Sequence, residues 1–270
     1  MQSEIEVNKP SSIDAYAPAE IAIRVNSLGV KKADMAFLSL VTLGILAGIF
    51  IAFGAMFYTV VITGSSLGFG PTRLVGGIVF SLGLILVIVA GAELFTGNNL
   101  IVIAWAQRDV SSKKLMRNWL IVYCANFVGA SFAAYVVTFS GTLDLADGAV
   151  RANALAIVNH KADLDFVQAF SSAVLCNALV CLAIWLSMAA HTVSGKIMAI
   201  IFPISAFVTL GFEHSVANMY FFSLFIFQPG SGFGFIDLLQ NLLPVTLGNI
   251  IGGSGLVALV YWICYLRQAR

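Results

Sequence analysis

Long apolar runs, separated by short polar stretches, make up most of the chain beyond its first 35 residues. A helix needs about 20 apolar residues to cross a hydrocarbon core of about 30 Å, so runs of this length predict membrane spans. Six runs qualify, although Glu93 interrupts the second, and Glu213 and His214 interrupt the fifth. Their approximate limits are 36–62, 74–106, 119–139, 166–190, 197–227 and 243–266. The pattern therefore predicts an all-α integral membrane protein with six transmembrane helices.

The composition also favours a membrane protein, because 60% of the residues are hydrophobic and 10% are charged. A soluble domain carries about 25% charged residues, so water is not the main solvent of this chain. The formal net charge of +1 gives no reason to expect a nucleic-acid partner. The lipid bilayer is the predicted environment.

The 14 lysines and arginines are distributed unevenly between the two sides of the six-span arrangement. Three of them, Arg73, Arg151 and Lys161, fall on one side. The other 11, on the side of both termini, are Lys9, Arg24, Lys31, Lys32, Arg108, Lys113, Lys114, Arg117, Lys196, Arg267 and Arg270. Because Lys and Arg in short loops favour the cytoplasmic side, we expect both termini in the cytoplasm. The expected location is a prokaryotic cytoplasmic (inner) membrane.

The two interrupted runs share a motif, which indicates an internal duplication. Gly-x-Glu, followed after four residues by Asn, occurs at 91–98 and at 211–218. The third and sixth runs match too, with Asn118, Leu120, Asn126 and Gly129 corresponding to Asn241, Leu243, Asn249 and Gly252. Three spans in each half make the halves inverted, with repeats at about 36–140 and 165–267. We therefore expect a cytoplasmic segment at 1–35 and a single transmembrane domain at 36–270.

Inverted repeats of this kind place a substrate path near the midplane, between discontinuous helices of equivalent position. Gly91, Gly97 and Gly211 lower the cost of breaking the two interrupted helices. Thr96 and Ser215 are suitable N-cap residues for helices that restart after each break. Two helix N-termini would then point towards the middle of the protein, where they favour anions.

Ionisable residues inside a span cost about 2.5 to 3.5 kcal/mol or more, so the two glutamates need an explanation. Their carboxylates can accept hydrogen bonds from loop N–H groups, Asn98 and Asn218, and so brace the broken backbone. We favour this bracing role over direct substrate contact, because a bare carboxylate repels anions. The same two alternatives apply to the amides of Asn126, Asn177 and Asn249.

His214 is the one histidine at predicted membrane depth, and Leu94 takes its place in the first half. It adjoins a helix break, so we favour a role in the substrate path over a purely structural one. Phe80 and Phe207, like Leu84 and Leu94, lie near the breaks and are interpreted either as a dry constriction or as ordinary packing. Lys161 is either a solvated loop lysine or a group that attracts anions.

The residues around the breaks resemble the formate/nitrite transporter family. The resemblance rests on Glu93-Leu-Phe-Thr96 and on the segment from Gly211 to Met219, and it extends from about Asn26 to Arg267. It implies an aquaporin-like fold and a homopentamer with one pore per subunit. It also implies transport of small monovalent anions such as formate and nitrite.

The resemblance further implies roles for individual residues. His214 would be the central pore histidine and Thr96 its hydrogen-bond partner. Leu84, Leu94 and Val180 would form the cytoplasmic constriction and Phe80 and Phe207 the outer one, while Lys161 would attract anions. The supporting polar set would be Glu93, Glu213, Asn98, Asn218, Asn126, Asn177 and Asn249.

The segment that follows Thr96 bears on the choice of anion. Gly97-Asn98-Asn99 is more similar to the nitrite and hydrosulfide branches, and to formate transporters that accompany formate dehydrogenases. Formate is the favoured anion, with nitrite or hydrosulfide as alternatives and acetate and lactate as further candidates. An anion entering an apolar slit pays a large desolvation cost, whereas its neutral acid does not. We therefore expect His214 to supply a proton.

Three other classes of protein are less consistent with the sequence. An aquaporin-like pore for neutral solutes would carry Asn-Pro-Ala at the breaks, and neither break has it. A membrane cytochrome needs paired axial ligands, and His214 alone supplies one. An enzyme needs a nucleophile, base and orienting group or a metal-binding set, and the spans contain neither. We predict no enzymatic activity, no metal and no cofactor.

Overall fold

The computed structural model describes residues 15–228 and 231–267. Most of the N-terminal segment expected at 1–35 is included, whereas Lys9 and Arg270 lie outside the described residues. The described residues form ten helices and one short 3-10 turn, Thr142–Asp144. The helices are α1 Pro18–Ala33, α2 Phe37–Ile62, α3 Phe69–Gly91, α4 Gly97–Ala106, α5 Ser112–Phe139, α6 Ala149–Ala162, α7 Phe166–Ala189, α8 Val193–Thr209, α9 Ser215–Ile226 and α10 Phe235–Tyr265.

Five of these helices are long and apolar enough to cross a membrane, namely α2, α3, α5, α7 and α10. The helices α8 and α9 are shorter, and together they form the run that the sequence assigns to the fifth span. The short helix α4 continues the second run after the break that ends α3. The prediction of an all-α membrane protein is confirmed, and both interrupted runs are divided into two helices.

We call α2, α5, α7 and α10 the outer helices. Glycines bring the backbones of these helices into direct contact in the same way in both halves. A Cβ atom at Gly129 of α5 would lie 2.0 Å from the carbonyl oxygen of Ile45 in α2. A Cβ atom at Gly252 of α10 would lie 2.0 Å from the carbonyl oxygen of Val174 in α7. Hence α2 packs closely along α5, and α7 along α10, while α3 and α8 pack against each other between the halves.

The internal repeat includes one more helix in each half than the sequence pattern indicates. The helix α1 precedes the first span and contacts α4, α5 and α7. The helix α6 precedes the fourth span and contacts α9, α10 and α2, which are the equivalent helices. Because three crossings separate α1 from α6, the two helices lie at opposite ends of the bundle. We refer to these as the α1 end and the α6 end.

Candidate functional site

Both helix breaks turn on a glycine with a left-handed backbone. The φ angles are +91° at Gly91 and +75° at Gly211, a region that side-chain-bearing residues rarely adopt. After the first break, α4 begins at Gly97 as a 3-10 turn. After the second, α9 begins at Ser215, and its N-cap is His214. The expectation that Ser215 caps this helix is therefore wrong, because the imidazole Nδ1 of His214 accepts the capping bond.

An asparagine on the neighbouring outer helix fixes each break. Asn126 accepts a hydrogen bond from the Phe95 N–H at 2.9 Å and donates to the carbonyls of Glu93 and Gly44, at 2.9 and 2.8 Å. Asn249 makes the same three bonds in the second half, with Ser215, Glu213 and Ala173. Irregular backbone at membrane depth needs partners of this kind, so these two amides brace the breaks.

Each buried glutamate is paired with a lysine and an asparagine. Glu213 receives the Lys161 ammonium at 2.8 Å and the Asn218 amide at 2.6 Å. The carboxyl side chain is 3% exposed and the lysine side chain 12%. A buried carboxylate needs a nearby positive charge, which loop N–H groups alone do not supply. Lys161 is therefore not a solvated loop lysine, since it lies in the last turn of α6 and forms an ion pair with Glu213.

The first break has the same arrangement, built with a lysine that the sequence reasoning did not select. Lys32 in the last turn of α1 lies 2.6 Å from Glu93, which also accepts from Asn98 at 2.8 Å. The signal for Lys32 was a repeated tripeptide, Lys-Ala-Asp, at 32–34 and 161–163. Asn118 and Asn241 hold the two lysines through their backbone carbonyls, at 3.0 and 2.9 Å.

His214 links the two breaks through a single hydrogen bond. Its Nε2 lies 2.9 Å from the hydroxyl oxygen of Thr96, while its Nδ1 accepts from the Ala217 N–H at 3.2 Å. With Nδ1 acting as an acceptor, the neutral ring carries its proton on Nε2 and donates it to Thr96. Asn177 connects the same region by donating to the carbonyls of Thr96 and Asn249, at 3.2 and 2.7 Å.

A small apolar cavity lies beside this pair. Its volume of about 10 Å³ is close to the space that one water molecule needs. His214 is the polar side chain in its lining, and the apolar lining includes Phe80, Leu84, Leu94, Val180 and Phe207. Phe80 and Phe207 meet edge to face, with ring centroids 5.6 Å apart. The path is therefore constricted here to about the size of one water molecule.

Larger pockets approach this closed region from both ends of the bundle. The pocket at the α6 end, which we call the vestibule, has a volume of about 290 Å³ and is lined by Lys161, Glu213 and His214. The pocket at the α1 end has about 50 Å³ and is lined by Lys32, Asn98 and Leu94. Phe80 and Phe207 line both the vestibule and the small cavity, and Leu94 lines both the small cavity and the α1 pocket.

The order of these parts defines the chemistry that the path permits. The path leads from a pocket lined by a lysine and glutamate pair, through an apolar slit with one imidazole, to a second pocket lined by the equivalent lysine, Lys32. Fixed charges at both entrances and a dry centre are typical of selective pores for small ions or polar solutes. Inverted repeats with two broken helices facing each other are typical of membrane transport proteins.

Comparison with known proteins gives the family. A family model described as formate/nitrite transporter matches residues 19–263, and the chain belongs to this family. The formate channel FocA of Escherichia coli (strain K12) is 39% identical over 274 residues, covering 94% of this chain and 96% of that protein. A probable formate transporter of Methanothermobacter thermautotrophicus is 40% identical over 270 residues, covering 93% of this chain and 98% of that protein. The predicted family is confirmed.

A solved structure gives the same result for the fold. A pentameric formate channel with formate bound superimposes with a TM-score of 0.79 at 39% sequence identity. The match covers 86% of this chain and 98% of that one. The protein is therefore a multi-pass membrane protein with the fold of this family.

Proposed function

We propose that this protein is a channel for small monovalent anions and that formate is its main substrate. The observation that carries the proposal is the His214 and Thr96 pair, which places one imidazole N–H at a closed apolar slit between two lysine-bearing pockets. The names of the relatives as formate channels and transporters support formate over other anions. Nitrite and hydrosulfide are the alternatives, and acetate and lactate are further candidates.

Desolvation requires that a proton accompany the anion. A bare carboxylate that enters the slit loses its water and finds mainly apolar side chains, at a cost of several kcal/mol. Low polarity disfavours the charged form of an acid, so the equilibrium moves towards formic acid as formate leaves the vestibule. Formate and a proton then cross together, which makes net transport neutral.

His214 is the group through which we route this proton. In its resting form the ring is neutral, and a second proton can bind only at Nδ1, which then loses its bond from the Ala217 N–H. Vestibule water supplies this second proton, and a neighbouring anion stabilises the resulting imidazolium. The imidazolium then transfers one proton to formate, which gives formic acid and a neutral imidazole. The imidazolium is therefore a transient species, formed when an anion is present in the slit.

The lysines prepare the two entrances in unequal ways. Lys32 bonds to both Glu93 and Asn98, at 2.6 and 3.1 Å. The ammonium group of Lys161 donates a hydrogen bond to Glu213 alone among the described residues, so it keeps N–H donors for a solute in the vestibule. Its charge is balanced by Glu213, and its contribution is mainly that of a hydrogen-bond donor. The glutamates and the remaining polar set brace the breaks.

We infer that the chain assembles as a homopentamer in a prokaryotic inner membrane, with both termini in the cytoplasm. The similar solved channel is pentameric, and the bias of basic residues that the sequence places on the side of the termini, nine of them among the described residues, supports this orientation. The α6 vestibule then faces outwards. The homopentamer is tested by measuring the mass of the purified protein in detergent. The cytoplasmic location of the termini is tested by their accessibility to proteases.

A flux panel in proteoliposomes tests the function. Formate, nitrite, hydrosulfide, acetate and lactate are compared across a range of pH, with internal pH recorded by a trapped dye. We expect the fastest entry for formate, accompanied by proton uptake. Glycerol swelling is the matched control for a neutral-solute pore. Glycerol entry without formate entry would reject the proposal, and faster nitrite or hydrosulfide entry would reassign the substrate.

A further inference from the structure

The α6 end of the molecule has one cation that the proposed function has not used. Three basic residues lie there, and two of them are paired with carboxylates. Arg151 lies 2.8 Å from Asp144, and Lys161 lies 2.8 Å from Glu213. Arg73 lines the same vestibule as Lys161, and no carboxylate of residues 15–228 and 231–267 lies within ion-pair distance of it.

Backbone carbonyls at the second helix break hold the guanidinium of Arg73 in place. Its Nε donates to the carbonyl of Thr209 and its Nη2 to that of Val208, each at 3.1 Å. A Cβ atom at Gly211 would lie 2.7 Å from Nη2, so the glycine makes room for the group. These bonds use one edge of the planar guanidinium. The N–H groups of Nη1 and the outer N–H of Nη2 remain available.

The charge of Arg73 is partly but not fully offset by its surroundings. The carbonyls that it binds form the C-terminal end of α8, which carries about half a negative charge. A positive field therefore remains. The rest of this end is acidic, with loop carboxylates at Asp144, Asp147, Asp163, Asp165 and Asp237. Asp144 is offset by Arg151, whereas Arg73 has no carboxylate partner among the described residues and is the vestibule group most suited to attract an anion.

We propose that Arg73 is the anion-collecting group of the vestibule and forms an entrance site for small monovalent oxyanions such as carboxylates. The free edge of the guanidinium presents two parallel N–H donors, which match the two oxygens of a carboxylate. A cleft with low-polarity walls strengthens the field of one unpaired cation and raises the local anion concentration. This inference rests on the proposed function and adds to it a site ahead of Lys161 and His214.

Uptake of labelled formate by intact cells that lack other formate channels tests the site. The Arg73→Gln variant removes the charge. The Arg73→Lys variant keeps the charge but loses the pair of hydrogen bonds to the carbonyls of Thr209 and Val208. We expect Arg73→Gln to raise the half-saturating formate concentration by roughly threefold to tenfold, with a weaker dependence on ionic strength. Arg73→Lys should raise this concentration by less than Arg73→Gln does, because the charge and its field are retained while the paired N–H donors are lost.

Controls separate this site from a structural role and from the proposed function. Lys113→Gln makes the same chemical change at the α1 end, where the side chain is exposed, and should not alter uptake. Membrane content and thermal stability of each variant are measured together with uptake. Equal losses in Arg73→Gln and Arg73→Lys would reduce Arg73 to a cap for α8 and overturn the inference. Unchanged saturation in Arg73→Gln would also overturn it, and absence of wild-type uptake would reject the proposed function itself.

Discussion

The two helix breaks have nearly the same scaffold but different central residues. Each has a left-handed glycine, a bracing asparagine, and a buried glutamate paired with a lysine. They differ at two positions. Leu94 of the first break is replaced by His214 in the second, and Thr96 of the first is replaced by Val216. The hydrogen bond between Thr96 and His214 joins one residue from each of these differing positions. Symmetry therefore maintains the fold, and the candidate proton path arises where symmetry is lost.

A second difference concerns the entrances. The pocket at the α1 end is about 50 Å³ and its lysine has two side-chain acceptors. The vestibule at the α6 end is about 290 Å³ and its lysine has one. Asn98 Oδ1 accepts from Lys32, whereas Asn218 Oδ1 is buried without a partner among the described residues. The ammonium group of Lys161 thus has more unused N–H donors for a solute than that of Lys32.

The largest expected effect comes from removing either glutamate charge, which tests whether the scaffold is symmetric. Glu93→Gln and Glu213→Gln each leave a lysine without its counter-ion. Breaking a buried pair in this way costs about 3 to 5 kcal/mol, and we expect about 3 because both lysines keep some exposure. Thermal unfolding of the detergent-solubilised protein should show similar losses for the two variants. Asp34→Asn, which breaks an exposed pair with Lys114, is the control and should change little.

A large loss in only one of the two glutamate variants would contradict the symmetric scaffold. It would mean that, in the other variant, solvent or a second carboxylate compensates the charge of the lysine that has lost its glutamate. Replacing the lysine as well, in Lys32→Met with Glu93→Gln and in Lys161→Met with Glu213→Gln, should recover part of the stability, because no charge is then left unpaired.

The next effect concerns flux and tests whether function depends on the asymmetric position. His214→Phe keeps a planar ring but removes both nitrogens. Without a proton donor the anion must cross the slit charged, so formate entry at constant pH should fall by about a hundredfold, which corresponds to about 2.7 kcal/mol. Stopped-flow measurement on proteoliposomes provides the rate. His160→Phe, a change at an exposed histidine that lines the vestibule, is the matched control. Normal, proton-linked entry in His214→Phe would exclude the proposed route.

The similarity of the two halves and the positions of both breaks can be predicted from the sequence, but the lysine partners of the two glutamates cannot. Apolar runs and the repeated Gly-x-Glu motif identify the spans, the inverted halves and both breaks, because bilayer thickness and buried charge restrict the sequence strongly. The pairing of Lys32 with Glu93 is not predictable in this way, because a lysine in a polar N-terminal segment is expected to be exposed to solvent. The position of Lys32 depends on how α1 folds back against α4. The Ser215 cap was wrong because propensity scales do not include a histidine ring as a cap.

Glycine contacts in the outer helices test the symmetry of packing. Gly129→Ala and Gly252→Ala place a methyl group within 2.0 Å of a backbone oxygen, so neighbouring helices must move apart. We expect each variant to lose about 2 kcal/mol, with a lower unfolding temperature in both cases. Gly255→Ala in the same helix as Gly252 is the control, because the nearest atom to its Cβ would be 3.9 Å away. If Gly252→Ala were as stable as Gly255→Ala, close backbone contact in the second half would be ruled out.

The smallest effect comes from the hydroxyl that joins the two breaks. Thr96→Val keeps the side-chain shape and removes the acceptor for His214 Nε2, a loss of about 1 kcal/mol. The ring then loses one of the two bonds that fix its tautomer and orientation, so formate flux should fall by about fivefold. Val216→Thr places a hydroxyl at the equivalent position of the second half. Leu94 takes the place of a histidine partner there, so flux should stay near the wild-type value. Equal losses in the two variants would mean that polarity at either break matters, and that the bond across the halves does not.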